Sequence, residues 1–197
     1  MRKKLVFATG NQEKMREIRQ ILKDCDYEIV SMKEAGIDID IEETGTTFEE
    51  NALIKAKAVF EHCHDVDVVL SDDSGLEVDY LNKAPGVYSA RFMGEDTPYS
   101  VKNKAIIDKL EGVEEEKRTA RFVCVIAAVF ANGETYTTRG TIEGMIGYEE
   151  RGTNGFGYDP IFYLPEKGCT TAELADEEKN KMSHRGKALE AMAIRLR

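Results

Sequence analysis

A short apolar run that meets two adjacent carboxylates constrains the fold of this chain more than any other stretch. It reads Val66-Asp67-Val68-Val69-Leu70-Ser71-Asp72-Asp73-Ser74-Gly75-Leu76. Valine-rich apolar runs of this length, bounded by turn residues, are typical of buried strands. We therefore predict a strand that stops at Asp72 and Asp73, after which Gly75 turns the chain. Because open α/β sheets bind ligands beyond the carboxyl ends of their strands, we expect both acids at the edge of a cleft.

The two carboxylates are expected to have different roles, because successive strand residues point to opposite faces of a sheet. Like charges held close together raise the pKa of one of them unless a cation relieves the repulsion. Mg²⁺ would do so, since it prefers carboxylate oxygens and the phosphates of a substrate. A polar turn after a strand would explain the same residues without any ligand. The local pattern leaves both interpretations open.

Charge and hydropathy exclude several classes of partner. The chain has 197 residues, enough to bury a sizeable core, and a net charge of −10. An acidic surface repels nucleic acid, so we expect no nucleic-acid partner. No apolar run approaches the ~20 residues of a membrane helix, and the apolar part of residues 1–7 is too short for a signal peptide. We therefore predict a cytoplasmic protein with no membrane partner.

The cysteine and histidine spacing favours neither a disulfide framework nor a structural zinc site. The four cysteines are far apart in the sequence and form no CxxC pair. The tripeptide His62-Cys63-His64 has metal-binding side chains, but neighbouring residues of a helix point in different directions. We do not interpret this tripeptide as a ligand set.

The first strand and helix enclose a candidate phosphate site. Residues 4–9 are predicted to form a strand and residues 12–23 a helix. The turn Thr9-Gly10-Asn11-Gln12-Glu13-Lys14 combines a helix N-terminus with a lysine, and free N–H groups and the helix dipole attract phosphate. It lacks the glycines and the Gly-Lys-Ser/Thr ending of a P-loop, and an ordinary strand-to-helix turn has the same pattern.

The remaining elements indicate a mixed sheet in one domain, residues 1–197. Further strands are predicted at residues 27–32, 119–130, 134–141 and 161–164, and further helices at residues 47–61, at residues 97–110 and after residue 186. Thr47 with Glu50, and Thr170 with Glu173, have the spacing of capping boxes, and Thr97-Pro98 has that of a helix start. Asn132-Gly133 is a strong hairpin signal, so its two strands should be antiparallel.

A glycine-rich segment follows, Gly152-Thr153-Asn154-Gly155-Phe156-Gly157-Tyr158-Asp159-Pro160. Glycines on both sides of Phe156 suit a flexible loop that lets the aromatic ring face a flat ligand. The alternative is a surface loop whose Phe156 packs on the core. The local pattern does not separate the two.

Six motifs, taken together, carry a resemblance to a known family. They are ATGNxxK (residues 8–14), EETGTTFEENA (42–52), SDDSGLEVD (71–79), APGVYSAR (84–91), NGFGYDPIF (154–162) and SHRG (183–186). In this order and spacing the chain resembles the inosine/xanthosine triphosphate pyrophosphatases. The resemblance implies an α/β fold with a mixed parallel/antiparallel central sheet flanked by helices, with two lobes around an active-site cleft, and a homodimer.

The resemblance also implies an activity and the residues that perform it. Such enzymes hydrolyse non-standard purine nucleoside triphosphates (ITP, dITP, XTP) to the monophosphate and pyrophosphate with Mg²⁺, which cleanses the nucleotide pool. The implied triphosphate contacts are Thr9, Gly10, Asn11, Gln12, Glu13, Lys14 and Lys55, and Ser74 would also touch the substrate. The implied Mg²⁺ ligands are Glu43 and Asp73, with Asp72 as a further candidate, and Asp73 would be the general base. Around the base, the resemblance implies stacking by Phe156, a pocket shaped by Gly157, Tyr158 and Asp159, and contacts from Lys179, His184 and Arg185.

Two other functions are weighed against this one. A related pyrophosphatase for pyrimidine or modified nucleotides would share the architecture, although the FGYD and SHRG segments argue against it. A nucleotide sensor would keep the pocket without turnover, although the intact acids Glu43, Asp72 and Asp73 argue for catalysis.

Overall fold

The computed structural model describes residues 2–197, which form one eight-stranded sheet and five α-helices. The strands are β1 (Lys3–Phe7), β2 (Tyr27–Ser31), β3 (Val68–Val78), β4 (Ala84–Pro85), β5 (Thr119–Phe130), β6 (Thr135–Ile146), β7 (Phe162–Leu164) and β8 (Cys169–Thr170). The helices are α1 (Gln12–Ile21), α2 (Phe48–Glu61), α3 (Tyr99–Lys109), α4 (Asp176–Met182) and α5 (His184–Leu196). Within these residues no helix combines the length and the apolar character that crossing a bilayer requires.

The sheet is mixed, which confirms the predicted fold class. The strand order is β2-β1-β3-β5-β6-β7-β8, and β4 pairs with β3. β1 is parallel to β2 and β3, whereas β7 is antiparallel to β6 and β8. Asn132-Gly133 lies in the tight connection between β5 and β6, where the Gly133 N–H donates to the Phe130 carbonyl at 2.8 Å. Gly133 has a φ of +85°, a conformation that glycine adopts without strain.

Contacts between Cα atoms divide the chain into two compact units, each built from separate stretches of sequence. Unit 1 comprises the chain up to Asp73, Cys124–Gly140 and Arg185–Arg197, and unit 2 comprises Ser74–Val123 and Thr141–His184. The core of unit 1 packs strand residues such as Leu5, Phe7 and Leu70 against α1 and α5. The core of unit 2 includes Leu76, Ile106, Leu110, Phe122 and Phe162. The prediction of a single domain stays a prediction.

The central strand differs most from its predicted form. β3 does not stop at Asp72 and Asp73, and Gly75 does not turn the chain, because the strand continues for 11 residues to Val78. Asp72 and Asp73 are 1% and 6% exposed, so both lie inside the sheet. Acids are depleted in strands because burying their charge is costly. Here cations from other elements compensate that cost, and a local pattern does not reveal them.

Several element boundaries also differ from the prediction. Thr97 is not the cap of α3, because Pro98 takes that position and the Thr97 hydroxyl donates to the Met93 carbonyl at 2.6 Å. Of residues 178–186, expected to precede the terminal helix, 178–182 lie in α4, Ser183 is the C-cap of α4 and 184–186 form the first turn of α5. The strand expected at residues 161–164 begins at Phe162, after a short 3₁₀ turn (Asp159–Ile161).

The capping boxes are confirmed. Thr47 and Glu50 cap each other at the start of α2. Thr170 and Glu173 make the same reciprocal bonds around a short 3₁₀ turn (Thr171–Glu173). These signals depend on spacing within a single turn, so the sequence alone suffices to find them.

Candidate functional site

The two adjacent acids of β3 belong to separate ion-pair networks in unit 1. The Lys14 ammonium of α1 lies 3.1 Å from Oδ1 and 3.0 Å from Oδ2 of Asp72. The Arg185 guanidinium of α5 lies 3.2 Å from Oδ2 of Asp72 and also donates to Glu17. Burial alone would raise the pKa of Asp72, but Lys14 and Arg185 hold it well below its usual range. Asp72 is therefore ionised at neutral pH and holds two cations in place.

Asp73 has a different environment. The Lys55 ammonium of α2 lies 3.4 Å from Oδ1 of Asp73 and 3.0 Å from Oε1 of Glu43. Oδ2 of Asp73 is buried and accepts no hydrogen bond from residues 2–197. Burial raises the pKa of Asp73 to about 6, with Lys55 opposing the rise and Glu43 adding to it. A carboxylate with this pKa accepts a proton near neutral pH more readily than an ordinary aspartate does.

The side chain of Asn11 caps the start of α1. Oδ1 of Asn11 accepts hydrogen bonds from the N–H groups of Glu13 (2.9 Å) and Lys14 (3.1 Å), and the Asn11 N–H donates to the Thr9 hydroxyl. Two of the N–H groups expected to attract phosphate are thus already bonded. Gln12 and Glu13 have exposed side chains, and Glu13 pairs with Arg16 at 3.2 Å. In this segment Lys14 is the residue whose charge is directed toward Asp72.

A cavity of about 670 Å³ in unit 1 collects most of the predicted triphosphate and metal residues. Its lining includes Thr9, Gly10, Lys14, Glu43, Lys55 and Asp72. The segment from Met32 to Ile41 forms another wall, for which no role was predicted. Its only sequence signal was the alternation of apolar and acidic residues between Ile37 and Ile41, which also suits an ordinary surface segment.

The glycine-rich segment of unit 2 forms a second cluster around Asp159. Oδ2 of Asp159 accepts from the Phe156 N–H at 2.9 Å and from the Lys179 ammonium at 2.7 Å. The hydroxyl of Thr171, which the sequence analysis missed, donates to Oδ1 at 2.8 Å. The Lys179 ammonium also lies 5.3 Å from the centroid of the half-buried Phe156 ring. Asp159 therefore fixes both the backbone and the cation beside this aromatic ring.

Gly155 has to be a glycine in this cluster. Its φ is +70°, which side chains rarely adopt, and a Cβ there would collide with the Asp159 carboxylate. The close approach of backbone to carboxylate is what allows Asp159 to reach the Phe156 N–H.

His184, Tyr158 and Arg185, which were also predicted to contact or surround the base, have other bonding partners. His184 begins α5 and stacks on Phe122 of β5, with ring centroids 4.8 Å apart. Tyr158 is buried, and its hydroxyl donates to the Ser89 carbonyl at 2.6 Å. The Arg185 guanidinium donates hydrogen bonds to the carboxylates of Glu17 and Asp72 within unit 1. Phe156, Asp159 and Lys179 thus form one cluster within unit 2.

Comparison with known proteins decides the family. A model of the Ham1 family matches residues 5–194. The chain belongs to the Ham1 family. A dITP/XTP pyrophosphatase of Clostridium perfringens is 46% identical, with 99% of this chain and 98% of the relative covered. One of a Thermoanaerobacter species is 52% identical, with 94% and 92% covered. The solved Ham1 protein of Staphylococcus aureus has a TM-score of 0.86 at 41% identity, with 98% of each chain covered.

The carboxylates of this Ham1 chain differ in how well they fit a divalent cation. No group of three or more histidine, cysteine and acidic side chains within residues 2–197 is arranged to hold a metal ion. Asp73 fits one better, because the Lys55 ammonium contacts its Oδ1 and its buried Oδ2 accepts no hydrogen bond within these residues, and Glu43 lies beside it on the same ammonium. Asp72 fits less well, since Lys14 contacts both of its oxygens.

Proposed function

We propose that this chain hydrolyses non-standard purine nucleoside triphosphates, ITP, dITP and XTP, to the monophosphate and pyrophosphate. The names of relatives about half identical over nearly the whole chain support this activity. The observation that carries it is the buried Asp73, whose pKa is raised to about 6 beside Lys55. Raised carboxylate pKa values of this kind are characteristic of groups that move protons in catalysis.

The cavity of unit 1 suits the triphosphate. Lys14 and Lys55 both line it, and their ammonium groups neutralise charge on phosphate oxygens as the pyrophosphate departs. Thr9 and Gly10, together with Asn11, Gln12 and Glu13 at the start of α1, are proposed as neighbouring contacts. Ser74, which follows the proposed general base Asp73 in β3, is also proposed to contact the substrate. The Asp72 carboxylate holds the Lys14 ammonium in place before substrate arrives.

The proposed reaction begins with the deprotonation of a water molecule. The Asp73 carboxylate takes the proton while the water oxygen attacks the α-phosphorus, and the bond to the bridging oxygen of the pyrophosphate breaks. Glu43 and Asp73 would hold Mg²⁺, with Asp72 as the weaker candidate, and the ion supplies further charge neutralisation at the phosphate oxygens. Lys55 contacts both ligands, so it also orients them.

The cluster around Asp159 suits the base. Phe156 is proposed to stack on the purine, Gly157 and Tyr158 to shape the pocket, and Lys179 and His184 to donate hydrogen bonds to the base edge. Hypoxanthine and xanthine present a carbonyl at position six, where adenine presents an amine. The amine of adenine does not accept a hydrogen bond, so a protein donor facing position six would stay unpaired. This weakens the binding of adenine by about 1–3 kcal/mol and favours the bases that carry a carbonyl.

A substrate panel tests the proposal. Pyrophosphate release is measured with ITP, XTP, ATP, GTP and UTP, each with Mg²⁺ and with a chelator. We expect ITP and XTP to be hydrolysed in strong preference to ATP, and the activity to disappear with the chelator. A preference for UTP would indicate a pyrimidine-type pyrophosphatase. Binding of ITP without any pyrophosphate release would indicate a nucleotide sensor.

Replacing Phe156 with Ala is expected to raise the KM for ITP by about tenfold or more, because base stacking contributes about 1–3 kcal/mol. Stacking is present in the ground state and in the transition state alike, so kcat should change little. Phe156→Tyr keeps the ring and is expected to keep the KM of the parent. A collapse of kcat at unchanged KM would exclude Phe156 as the stacking residue.

The proposal also includes the homodimer and the cytoplasmic location expected from the sequence. Light scattering coupled to gel filtration tests the first, with a mass twice that of the 22.1 kDa chain as the expected result.

A further inference from the structure

Helix α3 contacts the glycine-rich segment of unit 2 through Asn103, which has no role in the proposed function. Asn103 is 1% exposed, and its Nδ2 donates to the Gly157 carbonyl at 3.2 Å and to Oε1 of Glu150 at 2.7 Å. Both neighbours are acceptors, so the amide atom that faces them is the nitrogen Nδ2 and the other atom is the oxygen Oδ1. Asn103 therefore connects α3 to the backbone directly after Phe156.

The segment around Phe156 needs such a connection. Gly152, Gly155 and Gly157 have φ values of +88°, +70° and +67°, so the segment depends on the residue type with the greatest backbone freedom. Before the Phe156 side chain, Asp159 accepts from the Phe156 N–H, which belongs to the peptide between residues 155 and 156. After it, Asn103 donates to the Gly157 carbonyl, which belongs to the peptide between residues 157 and 158. These two bonds restrain the backbone before and after the aromatic residue.

Tyr99, one turn before Asn103, adds a packing contact to the same segment. The position that a Cβ of Gly157 would occupy lies 3.6 Å from the Tyr99 ring, and the Tyr99 and Tyr158 rings meet edge to face with centroids 5.2 Å apart. Residues four apart on a helix share one face. This face of α3 therefore supports the segment by packing through Tyr99 and by hydrogen bonding through Asn103.

A purely structural role does not explain Asn103 well. Its Oδ1 is buried and has no hydrogen-bond partner within residues 2–197. A buried acceptor without a partner costs free energy, which an apolar residue at this helix position would avoid. Buried polar groups that lack a hydrogen-bond partner are expected more often at functional sites than elsewhere.

We propose that Asn103 is a positioning residue that holds the glycine-rich segment in the conformation in which Phe156 stacks on the base. The inference rests on the proposed function, because it assigns Asn103 to the base side of that site. Asn103 contacts no reacting atom, and its effect passes through the Gly157 carbonyl. It should influence base affinity while leaving the phosphate chemistry of unit 1 unchanged.

The kinetic test compares Asn103→Ala with Asn103→Asp, which keeps the shape of the side chain but removes both N–H donors. Both variants are expected to raise the KM for ITP by about tenfold with kcat within about twofold. The inhibition constant of inorganic tripolyphosphate, which has no base, should not change. Lys104→Ala is the control, since Lys104 is the next residue of α3 and is exposed, with its ammonium on Asp108.

A second measurement does not depend on activity. Hydrogen exchange of the peptide covering residues 152–158 is expected to accelerate in both Asn103 variants and to stay unchanged in Lys104→Ala. Unchanged exchange would overturn the positioning role even if the enzyme is active. An unchanged KM, or parallel losses in kcat and tripolyphosphate binding, would overturn it as well. No pyrophosphate release by the parent protein would instead contradict the proposed function, with the exchange result still deciding the role of Asn103.

Discussion

Replacing Asp73 with Asn is expected to reduce kcat for ITP by about 10²–10⁴-fold, the range typical for the loss of a general base. Asparagine has the same shape but does not accept the proton of the attacking water, and it is a weaker ligand for Mg²⁺. Calorimetric titration with Mg²⁺ should show reduced affinity in Asp73→Asn and in Glu43→Gln. Near-parental turnover of Asp73→Asn would contradict the assignment of Asp73 as the base.

The same variant is expected to be at least as stable as the parent when metal is removed. Burial raises the pKa of Asp73 to about 6 from an ordinary value of 3.8, so ionisation costs folding free energy. This group contributes full stability below about pH 4, and that contribution is lost as pH rises through about 6. Two pKa units correspond to about 3 kcal/mol, which the Asp73→Asn variant recovers because its amide never ionises.

Thermal melts of both proteins with chelator, at about pH 8 and at about pH 4, measure this difference. Asp73→Asn should melt higher than the parent at the alkaline value, and the two should converge at the acidic one. Asp108→Asn, an exposed position of α3, is the control and should follow the parent at both values. A parent protein whose stability rises between pH 4 and 6 relative to the variant would contradict the raised pKa.

Replacing Arg185 with Met is expected to lower the free energy of unfolding by about 3–5 kcal/mol, a melting shift of about 6–20 °C. Burial alone would lower the pKa of Arg185, but Asp72 and Glu17 hold it above its usual range. Glu17 and Asp72 are themselves 4% and 1% exposed. Removing the guanidinium therefore leaves two buried carboxylates without one of their positive partners. An uncompensated buried charge lowers the free energy of unfolding strongly.

This outcome separates the structural role of Arg185 from the role in base recognition that the resemblance implied. If Arg185 read the base edge, its loss would change the preference for ITP over ATP at nearly constant stability. The structure predicts the reverse, a loss of stability with the preference retained in the folded fraction. Arg195→Met is the matched control, because Arg195 is an exposed residue of the same helix and its replacement should cost less than about 0.5 kcal/mol.

Local signals in the sequence were sufficient for a large part of the fold. The hairpin at Asn132-Gly133 and the capping boxes at Thr47 and Thr170 depend on residues within a few positions of one another, so their spacing alone identifies them. The six motifs identified the family in the same way, since each is a contiguous string. The match to the Ham1 family and to dITP/XTP pyrophosphatases confirms that resemblance.

The sequence also indicated that Asp72 and Asp73 have different roles, because strand alternation is a local property. Only the tertiary structure shows the different surroundings of the two carboxylates. Arg185 is 113 positions from Asp72, and Lys55 is 18 from Asp73. Such distant pairs leave no periodic trace in the sequence, so the acids were expected to end a strand rather than to lie within one. The cations that long-range folding brings to β3 offset the cost of burying both carboxylates, and Lys14 and Arg185 keep the pKa of Asp72 low while burial raises that of Asp73.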